Sequence, residues 1–566
     1  MANKLRISKQ CIEVAFDSQD APLLEKFYPV HYNRKKTQAA ISPRHLPEVL
    51  KELRGIGTDD VSMLPEHIRK LYNDEIYARR RIEDLMANGP TQSPVVNEHL
   101  TLKPHQQLGR EIAEVRNKYC FFFDTRTGKT PLSLAIMRDD LLRHPDHKWL
   151  VVCPLILIEQ AWLPDAAQFI PDIKIVNCHA ANKAKRLKAI DTGLVNGAQI
   201  FVTNTESFVA YREYFEKIEF EGCFVDESSS MKSNKSQQSK ALVEFAQGLN
   251  RFYLLSGTPA PNGEYEYFMQ LRSVDYYSMP SSYSQFKEHF FINKSYNPQY
   301  EDLVLRPDRR DELMSLIKKY AIYVDKEDVL TTPGRTFYEV PLAMPDALAK
   351  QYRKLKRDMY LEIGEHEITA PSAAATINKL RQVSSGFIID TQTMKENKFY
   401  NEEKQDTLLL DSYRFSYLMD KLEGLGDEQV IIWANYHKEF DEIKKLLGDS
   451  CGCVYGAVSI NEKNEVLRRF KSGELQYLVA NPASADKGLT LTNCHICIYF
   501  SLNHSYELFK QSMERIYGDI SKQPKHCEYY IFLAKGTIDE PIYRDVLQGK
   551  HDASTAVLSH LKGGIM

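Results

Sequence analysis

The sequence predicts an α/β protein with two parallel-sheet lobes, a helical insertion and a small N-terminal domain. Short apolar runs rich in β-branched and aromatic residues recur through 98–335 and again through 429–534, and a polar turn and a helical pattern follow most of them. Such alternation is typical of a parallel sheet covered by helices on both faces. Between the two blocks, about 345–395, the chain is rich in Tyr, Lys, Arg and Ala, which favours a helical insertion.

The predicted boundaries follow from these changes in composition. Residues 1–97 differ in character from the rest and end in the polar stretch NGPTQSPVVNEH, which suits a linker. We expect an N-terminal accessory domain over 1–97, a first lobe that binds the nucleotide over 98–335, and a second lobe with the insertion over 336–566.

Length and charge exclude some classes of protein. The chain has 566 residues, which is too long for one hydrophobic core. Its 73 Lys and Arg against 76 Asp and Glu give a net charge of −3, which argues against a histone-like nucleic-acid binder but allows a local basic groove. No apolar run approaches the ~20 residues that span a bilayer, and the start lacks a secretory signal. The expectation is a cytoplasmic protein with no membrane partner.

The ten cysteines show no disulfide framework, which fits a reducing compartment. Cys494 and Cys497, with Cys451 and Cys453 upstream, come nearest to a metal motif. The run CHICIYF has the pattern of one buried strand, whose alternate residues point to opposite faces. Inert core thiols are therefore favoured over a zinc site.

The stretch FFFDTRTGKT at 121–130 is the strongest local signal of function. An apolar run breaks into a Thr-Gly-Lys-Thr loop, and a helical pattern follows. Gly128 allows backbone N–H groups to close on phosphate oxygens, Lys129 reaches the β and γ phosphates, and the Thr130 hydroxyl holds Mg²⁺. ATP and Mg²⁺ are the predicted cofactors. A chance match remains an alternative, because Phe123 stands where the first glycine is expected and Arg126 lies inside the loop.

An acidic pair completes the predicted site. Asp226 and Glu227 end the apolar run GCFVDE. Asp226 is placed to hold the metal with Thr130, and Glu227 to accept a proton from the attacking water. A solvated strand end or a helix N-cap is the alternative, which the position in the same α/β block disfavours.

Nine motifs occur in one order, and together they resemble the superfamily 2 helicase-like ATPases, closest of all the Swi/Snf-type DNA translocases, over about 98–548. In chain order they are LKPHQ at 102–106, TGKT at 127–130, VVCPLILIEQAW at 151–162, TNTES at 203–207, VDESSSMKS at 225–233, LLSGTPAPN at 254–262, VIIWANYHKEFD at 430–441, ANPASADKGLTLTNC at 480–494 and QSMERIYG at 511–518.

The resemblance implies two RecA-like lobes and assigns roles residue by residue. Those assigned to the nucleotide are Gln106, which reads the adenine, Thr127, Gly128, Lys129, Thr130 and Gln511; those assigned to catalysis are Lys129, Asp226, Glu227 and Arg515. Nucleic-acid contacts are assigned to Pro154, Thr203, Thr205, Gly488 and Thr490, and coupling of nucleotide state to lobe movement to Ser256, Gly257 and Thr258.

The last motif departs from the family pattern. Two arginines spaced Arg-x-x-Arg are expected, but the chain has Arg515 and then Gly518 at the position of the arginine finger. Loss of such a finger lowers hydrolysis by ~10³ or more. Impairment, natural or engineered, is favoured because glycine has no side-chain donor, and substitution by Arg515 or Lys522 is the alternative. The tetrad DESS replaces the more usual DEAH, which puts the coupling role of Ser229 in doubt.

The N-terminal block mixes aromatic and basic residues. Tyr28 and Tyr32 precede the basic cluster Arg34, Lys35 and Lys36. Aromatic side chains of this kind can stack on bases, and basic ones can neutralise phosphates. The passage is faintly similar to the HepA-related domain of annealing helicases, which would recognise forked or branched DNA. A small α/β domain with a solvated basic face is equally favoured.

The resulting expectation is an ATP-dependent DNA translocase or helicase of bacterial or viral type. It would act on duplex or branched DNA in replication, recombination, branch migration or repair, as a monomer or weak oligomer, and associate with the nucleoid in a bacterial host. An RNA helicase and a non-catalytic DNA clamp that binds ATP are the alternatives.

Overall fold

The computed structural model describes residues 4–7, 10–15, 29–33, 38–54, 65–295, 301–363, 366–369, 373–390, 407–484 and 490–551. The chain divides into two compact units, the first ending at Val329 and the second beginning at Leu330. The predicted boundaries at 97 and 335 remain predictions, because the N-terminal block and the first lobe fall within one unit.

The N-terminal block has its own sheet and core. Its antiparallel sheet has the strand order Lys4–Ile7, Ile12–Ala15, Gln38–Ile41, His31–Tyr32, and it is followed by a short 3₁₀ helix, Pro43–His45, and helices Leu46–Arg54 and Glu66–Asn88. Ile12, Val14 and Ile41 from the sheet pack with Val49 from the first helix. The second helix also places Leu85 in the core of the following lobe.

The first lobe is built on a seven-stranded parallel sheet. Its strands, in spatial order, are Ala321–Val324, Lys118–Phe123, Arg251–Leu255, Gly222–Val225, Trp149–Cys153, Ile200–Asn204 and Ile175–Asn177. Side chains alternate between two cores: Phe121 and Phe123 pack on one face, and Cys120 and Phe122 on the other. Helices cover both faces, so the strands are continuous apolar runs.

The helices of this lobe are Pro104–Val115, Lys129–Arg143, Leu155–Leu157, a π-helical turn at Ile158–Trp162, Leu163–Phe169, Lys183–Val195, Thr205–Ala210, Arg212–Phe215, Gln237–Gly248, Tyr267–Val274, Tyr283–Phe290, Arg310–Lys318 and Lys326–Val329. Short 3₁₀ turns lie at Ser228–Met231, Glu264–Glu266, Tyr276–Ser278 and Pro307–Arg309. Two small antiparallel pairs join Val95–Asn97 to Leu100–Thr101 and Phe291–Asn293 to Leu303–Leu305.

The second unit is built on a six-stranded parallel sheet. Its strands, in spatial order, are Arg335–Leu342, Cys527–Ala534, Ile496–Tyr499, Val430–Trp433, Tyr477–Ala480 and Cys451–Val454. Its helices are Asp346–Asp358, Ala373–Ser384, Tyr413–Leu425, His437–Leu447, Ile460–Lys471, Tyr506–Met513 and the turn Asp539–Pro541, which continues as a π-helix over Ile542–Gln548; a 3₁₀ turn lies at Gly448–Ser450. Antiparallel pairs join Tyr360–Ile363 to His366–Thr369 and Phe387–Ile389 to Thr407–Leu409.

The predicted fold class is confirmed: two parallel-sheet lobes carry helices, and helices Asp346–Asp358 and Ala373–Ser384 lie in the expected insertion. The run CHICIYF contains the buried strand Ile496–Tyr499, and the cysteines are free thiols. Among the described residues, no helix has both the length and the apolar character needed to cross a bilayer.

Candidate functional site

The candidate residues of the first unit meet at one edge of the seven-stranded sheet. Five neighbouring strands end there, and because the sheet is parallel their carboxyl ends lie side by side. The first residues after these strands are, along the edge, Asp124, Ser256, Asp226, Pro154 and Thr205. The segments predicted to bind phosphate and those predicted to contact nucleic acid therefore share one edge.

The phosphate loop connects the strand Lys118–Phe123 to the helix Lys129–Arg143. Gly128 is the N-cap of that helix and has φ 85° and ψ 50°, a left-handed conformation that favours glycine. Upstream, the Thr127 hydroxyl donates to the Asp124 carbonyl at 2.7 Å and closes the turn. A turn of this kind exposes helix N-terminal N–H groups, which are suited to bind phosphate oxygens.

The Gln106 side chain braces this loop. Its Nε2 donates to the carbonyls of Thr127 at 2.9 Å and Gly128 at 3.3 Å, while its Oε1 accepts from the Lys103 N–H at 2.8 Å. A Cβ at position 128 would lie 1.9 Å from Gln106 Nε2, so only glycine leaves room for this contact. The residue assigned to adenine thus also contacts the backbone of the phosphate loop.

His105 is a further member of the site, which the sequence reasoning missed. Its Nε2 lies 2.7 Å from the Thr127 carbonyl, so this nitrogen carries the proton and donates. Burial lowers the pKa of His105, which keeps the ring neutral. The signal was present in the sequence, because His105 directly precedes Gln106 in the first motif.

Lys129 and Thr130 begin the helix after the loop. Lys129 Nζ donates to the carbonyls of Phe123 at 3.1 Å and Asp124 at 3.4 Å, so the ammonium lies over the mouth of the loop. Thr130 is half-buried on the first turn. The Thr130 hydroxyl and the Asp226 carboxylate are both oxygen donors, the kind that Mg²⁺ prefers.

Asp226 follows the strand Gly222–Val225 and is buried. Its Oδ2 accepts from Trp162 Nε1 at 3.1 Å, and its Oδ1 from the Glu227 N–H at 2.9 Å. Burial raises the pKa of Asp226 to about 6, and the charge of Glu227 adds to the rise, while the nearby Lys129 ammonium opposes it. Trp162, a second residue that sequence reasoning missed, therefore orients the carboxylate.

Glu227 has an unusual backbone conformation. With φ 52° and ψ 55° it is left-handed, which is rare for a non-glycine residue. It caps the short 3₁₀ helix Ser228–Met231. Proteins often retain strain of this kind at functional turns, and here it lies at the bend between the strand Gly222–Val225 and the 3₁₀ helix.

The segment Ser256-Gly257-Thr258 packs against the phosphate loop. Ser256 Oγ accepts from the Thr258 N–H at 3.1 Å. A Cβ at Gly257 would lie 3.1 Å from the backbone nitrogen of Thr125, so the two backbones are in close contact. This contact brings the segment predicted to couple nucleotide state to movement directly onto the loop.

The residues predicted to contact nucleic acid are placed differently from one another. Pro154 is half-buried at the start of the helix Leu155–Leu157, and Thr205 begins the helix Thr205–Ala210. Thr203 is 0% exposed inside its strand, so its side chain is buried against the sheet and is not accessible to nucleic acid in this structure. Thr490 is exposed. Gly488, Arg34, Lys35 and Lys36 lie outside the described residues.

In the second unit, Gln511, Arg515 and Gly518 lie in and just after the helix Tyr506–Met513. All three are buried, and Arg515 is 6% exposed. The Arg515 carbonyl accepts from the Leu491 N–H at 2.9 Å, which ties the last motif to the one before it. The Arg335 guanidinium lies over the Tyr517 ring, 4.6 Å from its centroid, and so places a cation beside the residue that precedes Gly518.

A polar cluster lies at the carboxyl edge of the second sheet. Asn435 Nδ2 donates to the Ser501 carbonyl at 2.9 Å, and Ser501 Oγ to Glu439 Oε2 at 2.8 Å. Asn503 Nδ2 donates to Asn435 Oδ1 at 3.1 Å. Asn435 and Glu439 belong to the motif at 430–441, and Ser501 and Asn503 follow the neighbouring strand Ile496–Tyr499, so the cluster joins two strand ends.

Comparison with known protein families gives two matches. The SNF2-related domain matches residues 34–386, and the helicase conserved C-terminal domain matches residues 413–517. Together they cover most of both lobes.

Eight similar proteins are 21–26% identical to this chain over the aligned residues. Protein p41 of Acyrthosiphon pisum secondary endosymbiont phage 1 is 22% identical over 433 residues, covering 73% of this chain and 89% of p41. The DNA repair and recombination protein RAD54-like of Gallus gallus is 22% identical, covering 74% of this chain. The DNA annealing helicase and endonuclease ZRANB3 of Bos taurus is 26% identical, covering 77%.

The chain spans 61% of the RAD54-like protein and 39% of ZRANB3. Among solved structures, the SWI2/SNF2 ATPase core of Sulfolobus solfataricus in complex with dsDNA is 19% identical with a TM-score of 0.36, and the match covers 83% of this chain and 98% of that one.

Proposed function

This chain belongs to the SNF2-related domain family, and from that premise we propose that it is an ATP-driven translocase acting on duplex or branched DNA in replication, recombination or repair. Proteins of this family are DNA-dependent ATPases, which gives the general class of activity. The observation that carries the proposal is the meeting of Gln106, the phosphate loop, Asp226 and the Gly257 backbone at one sheet edge. The name of the RAD54-like relative, a DNA repair and recombination protein, supports a role in repair or recombination.

The residues fit the chemistry of ATP with Mg²⁺. The helix N-terminus at Gly128 offers N–H groups to phosphate, and Lys129 would exchange its two carbonyl partners for phosphate oxygens. Thr130 and Asp226 would hold the metal, which supplies charge stabilisation for the transferred phosphoryl group. Glu227 would accept the proton of the attacking water. With a pKa of about 6, Asp226 is mostly ionised at neutral pH and so able to bind the metal.

Hydrolysis is proposed to be weak because Gly518 occupies the arginine-finger position. An arginine finger contributes about 10³- to 10⁵-fold to turnover. Gly518 offers no donor, and Arg515 is buried within its own unit. Arg335, stacked on Tyr517, is a cation that could substitute in part, as could the exposed Lys522.

Recognition of branched DNA is proposed for the N-terminal block, on the composition of the segment with Arg34, Lys35 and Lys36. The block is attached to the first lobe by polar contacts. Ser42 Oγ donates to Asp275, and Arg44 donates to the Lys118 carbonyl at 2.8 Å. These contacts attach the described part of the block to the first lobe.

Two other functions are tested by the same assay. An RNA helicase would hydrolyse ATP in response to RNA. A non-catalytic DNA clamp would bind ATP and DNA without turnover, and Gly518 is the observation that favours it as the second candidate.

The decisive experiment measures ATP turnover by the full chain with single-stranded, duplex and forked DNA and with RNA. The proposal expects slow turnover that duplex or forked DNA stimulates, and a rise of at least tenfold in the Gly518→Arg variant. Gly518→Ala is the matched control, since it adds a side chain without a donor. Ordinary wild-type turnover that Gly518→Arg leaves unchanged would refute the impairment. Turnover that RNA stimulates and DNA does not would refute the DNA translocase. ATP binding without turnover in both the wild-type chain and the Gly518→Arg variant would indicate the clamp.

A further inference from the structure

Gln270 lies outside all nine motifs and is buried in the helix Tyr267–Val274 with 0% exposure. Its Oε1 accepts from Ser228 Oγ at 2.9 Å. Its Nε2 donates to the Pro259 carbonyl at 2.6 Å and to the Glu266 carbonyl at 3.2 Å. Both ends of the amide are thus engaged, one by each of two functional turns.

The two turns joined by Gln270 are those that adjoin the hydrolytic pair and the coupling segment. Ser228 directly follows Glu227, the residue with the left-handed backbone. Pro259 directly follows Thr258, the last residue of the segment whose glycine packs on the phosphate loop. A displacement of either turn therefore stretches or breaks a hydrogen bond to the same amide.

Packing alone does not explain a glutamine here. Its helix neighbours Tyr267, Phe268 and Leu271 are buried in the apolar core of the lobe, where an aliphatic side chain of similar size would fit. Burial of an amide is unfavourable unless its donors and acceptors are satisfied. The amide at this position is satisfied by Ser228 and Pro259 from the two turns, together with the Glu266 carbonyl at the start of its own helix.

We propose that Gln270 is a positioning residue that links the Ser256–Thr258 segment to the Asp226-Glu227 turn, so that movement of the first realigns Glu227 for hydrolysis. This inference rests on the proposed ATPase function. It assigns a role to a side chain that would not touch the nucleotide, and it gives the two turns a direct connection independent of the phosphate loop.

The test compares ATP hydrolysis by Gln270→Leu and Ser228→Ala with the wild-type chain. Gln270→Leu removes all three hydrogen bonds at nearly constant volume, and we expect the DNA-stimulated kcat to fall at least tenfold while KM for ATP stays within twofold. Ser228→Ala breaks only one of the bonds and should lower kcat less. The double variant should be no slower than Gln270→Leu, because the two changes interrupt one connection.

The matched control is Gln247→Leu. Gln247 is half-buried, and its Nε2 donates to Val243 at 3.1 Å within its own helix, so its replacement should leave kcat unchanged. Single-turnover measurements with radiolabelled ATP keep slow hydrolysis measurable. An unchanged kcat for Gln270→Leu, or losses in the double variant that multiply, would overturn the inference.

Failure of the proposed function gives a different result. A wild-type chain that hydrolyses no ATP with any nucleic acid refutes the ATPase itself. A wild-type chain that hydrolyses ATP beside an equally active Gln270→Leu variant refutes only the linkage. If Gln270→Leu does not fold, Ser228→Ala alone decides: an unchanged kcat is evidence against the linkage, and a reduced kcat at constant KM supports it.

Discussion

Replacement of Gly128 by alanine should weaken ATP binding by about two orders of magnitude, for two reasons that can be separated. The first is the left-handed backbone, with φ 85°, which alanine adopts at a cost of about 1–2 kcal/mol. The second is the collision of the new methyl group with Gln106 Nε2, at 1.9 Å. Gln106 can move away, but it then loses its bonds to the Thr127 and Gly128 carbonyls.

The expected increase in Kd for ATP follows from these contacts. Two neutral hydrogen bonds contribute about 0.5–1.5 kcal/mol each, which with the backbone cost gives about 2–5 kcal/mol. The altered loop can relax while it is empty of phosphate, so most of this cost is met when ATP binds. At 1.4 kcal/mol for each factor of ten, a middle value of about 3 kcal/mol corresponds to about a hundredfold increase in Kd.

The assay is titration with a fluorescent ATP analogue, together with thermal denaturation. Gly197→Ala is the matched control, because Gly197 has φ 71° but nothing within 4 Å of its Cβ position. It should lower stability by about 1 kcal/mol and leave ATP binding unchanged. A Gly128→Ala variant that binds within threefold of wild type refutes the reasoning. Gln106→Ala separates the two terms, since in that background Gly128→Ala should retain only the backbone cost.

Two further predictions concern stability. Burial, with the charge of Lys319 adding to it, lowers the pKa of His45 from 6.5 to about 4, so the stability that neutral His45 provides is complete above pH 6.5 and lost as the pH falls toward 4. The full loss is about 3 kcal/mol, of which about 2 kcal/mol falls between pH 7.5 and 5; thermal denaturation over that range should show it, and His45→Gln should flatten the dependence. Arg414→Met leaves the buried Asp539 without its cation and should destabilise the second unit by about 3–5 kcal/mol in urea denaturation. Addition of Asp539→Asn should restore part of that stability, and an Arg414→Met variant as stable as wild type would contradict the argument.

The fold was predictable because parallel strands buried on both faces leave a strong local signal. The strand Trp149–Cys153 is fully buried and apolar throughout, and the same holds for most of its neighbours in the sheet. The position of the loop at 124–128 was predictable for a related reason, because it directly follows such a run and a helical pattern follows it; its binding of phosphate stays a prediction. The sequence is sufficient to predict a feature when the residues that form it are consecutive in the chain.

The contacts that orient these residues were not predictable, because they join positions far apart in the chain. Trp162 donates to Asp226 across 64 residues, and Gln270 accepts from Ser228 across 42. Trp162 ends the motif at 151–162, but nothing in that motif pairs it with Asp226, and Gln270 lies outside all nine motifs. Thr203 was predicted to contact nucleic acid because it lies within a matched motif. Its side chain is instead buried against one face of the sheet, because side chains alternate between the two faces along its strand.

On the proposed function, stability and turnover would depend on different residues of the first unit. The apolar cores on both faces of the sheet contain Phe121, Phe122 and Leu254, and they would keep the strands together without any polar contact at the edge. Through amide hydrogen bonds, Gln106 instead joins the start of the helix Pro104–Val115 to the loop at 124–128, and Gln270 joins two turns at that edge. Because each such bond contributes only about 0.5–1.5 kcal/mol, loss of one leaves the fold intact. Loss of such a bond leaves the segments that it joined free to shift relative to one another. Replacement of Gln106 or Gln270 should therefore slow turnover at temperatures where the protein remains folded.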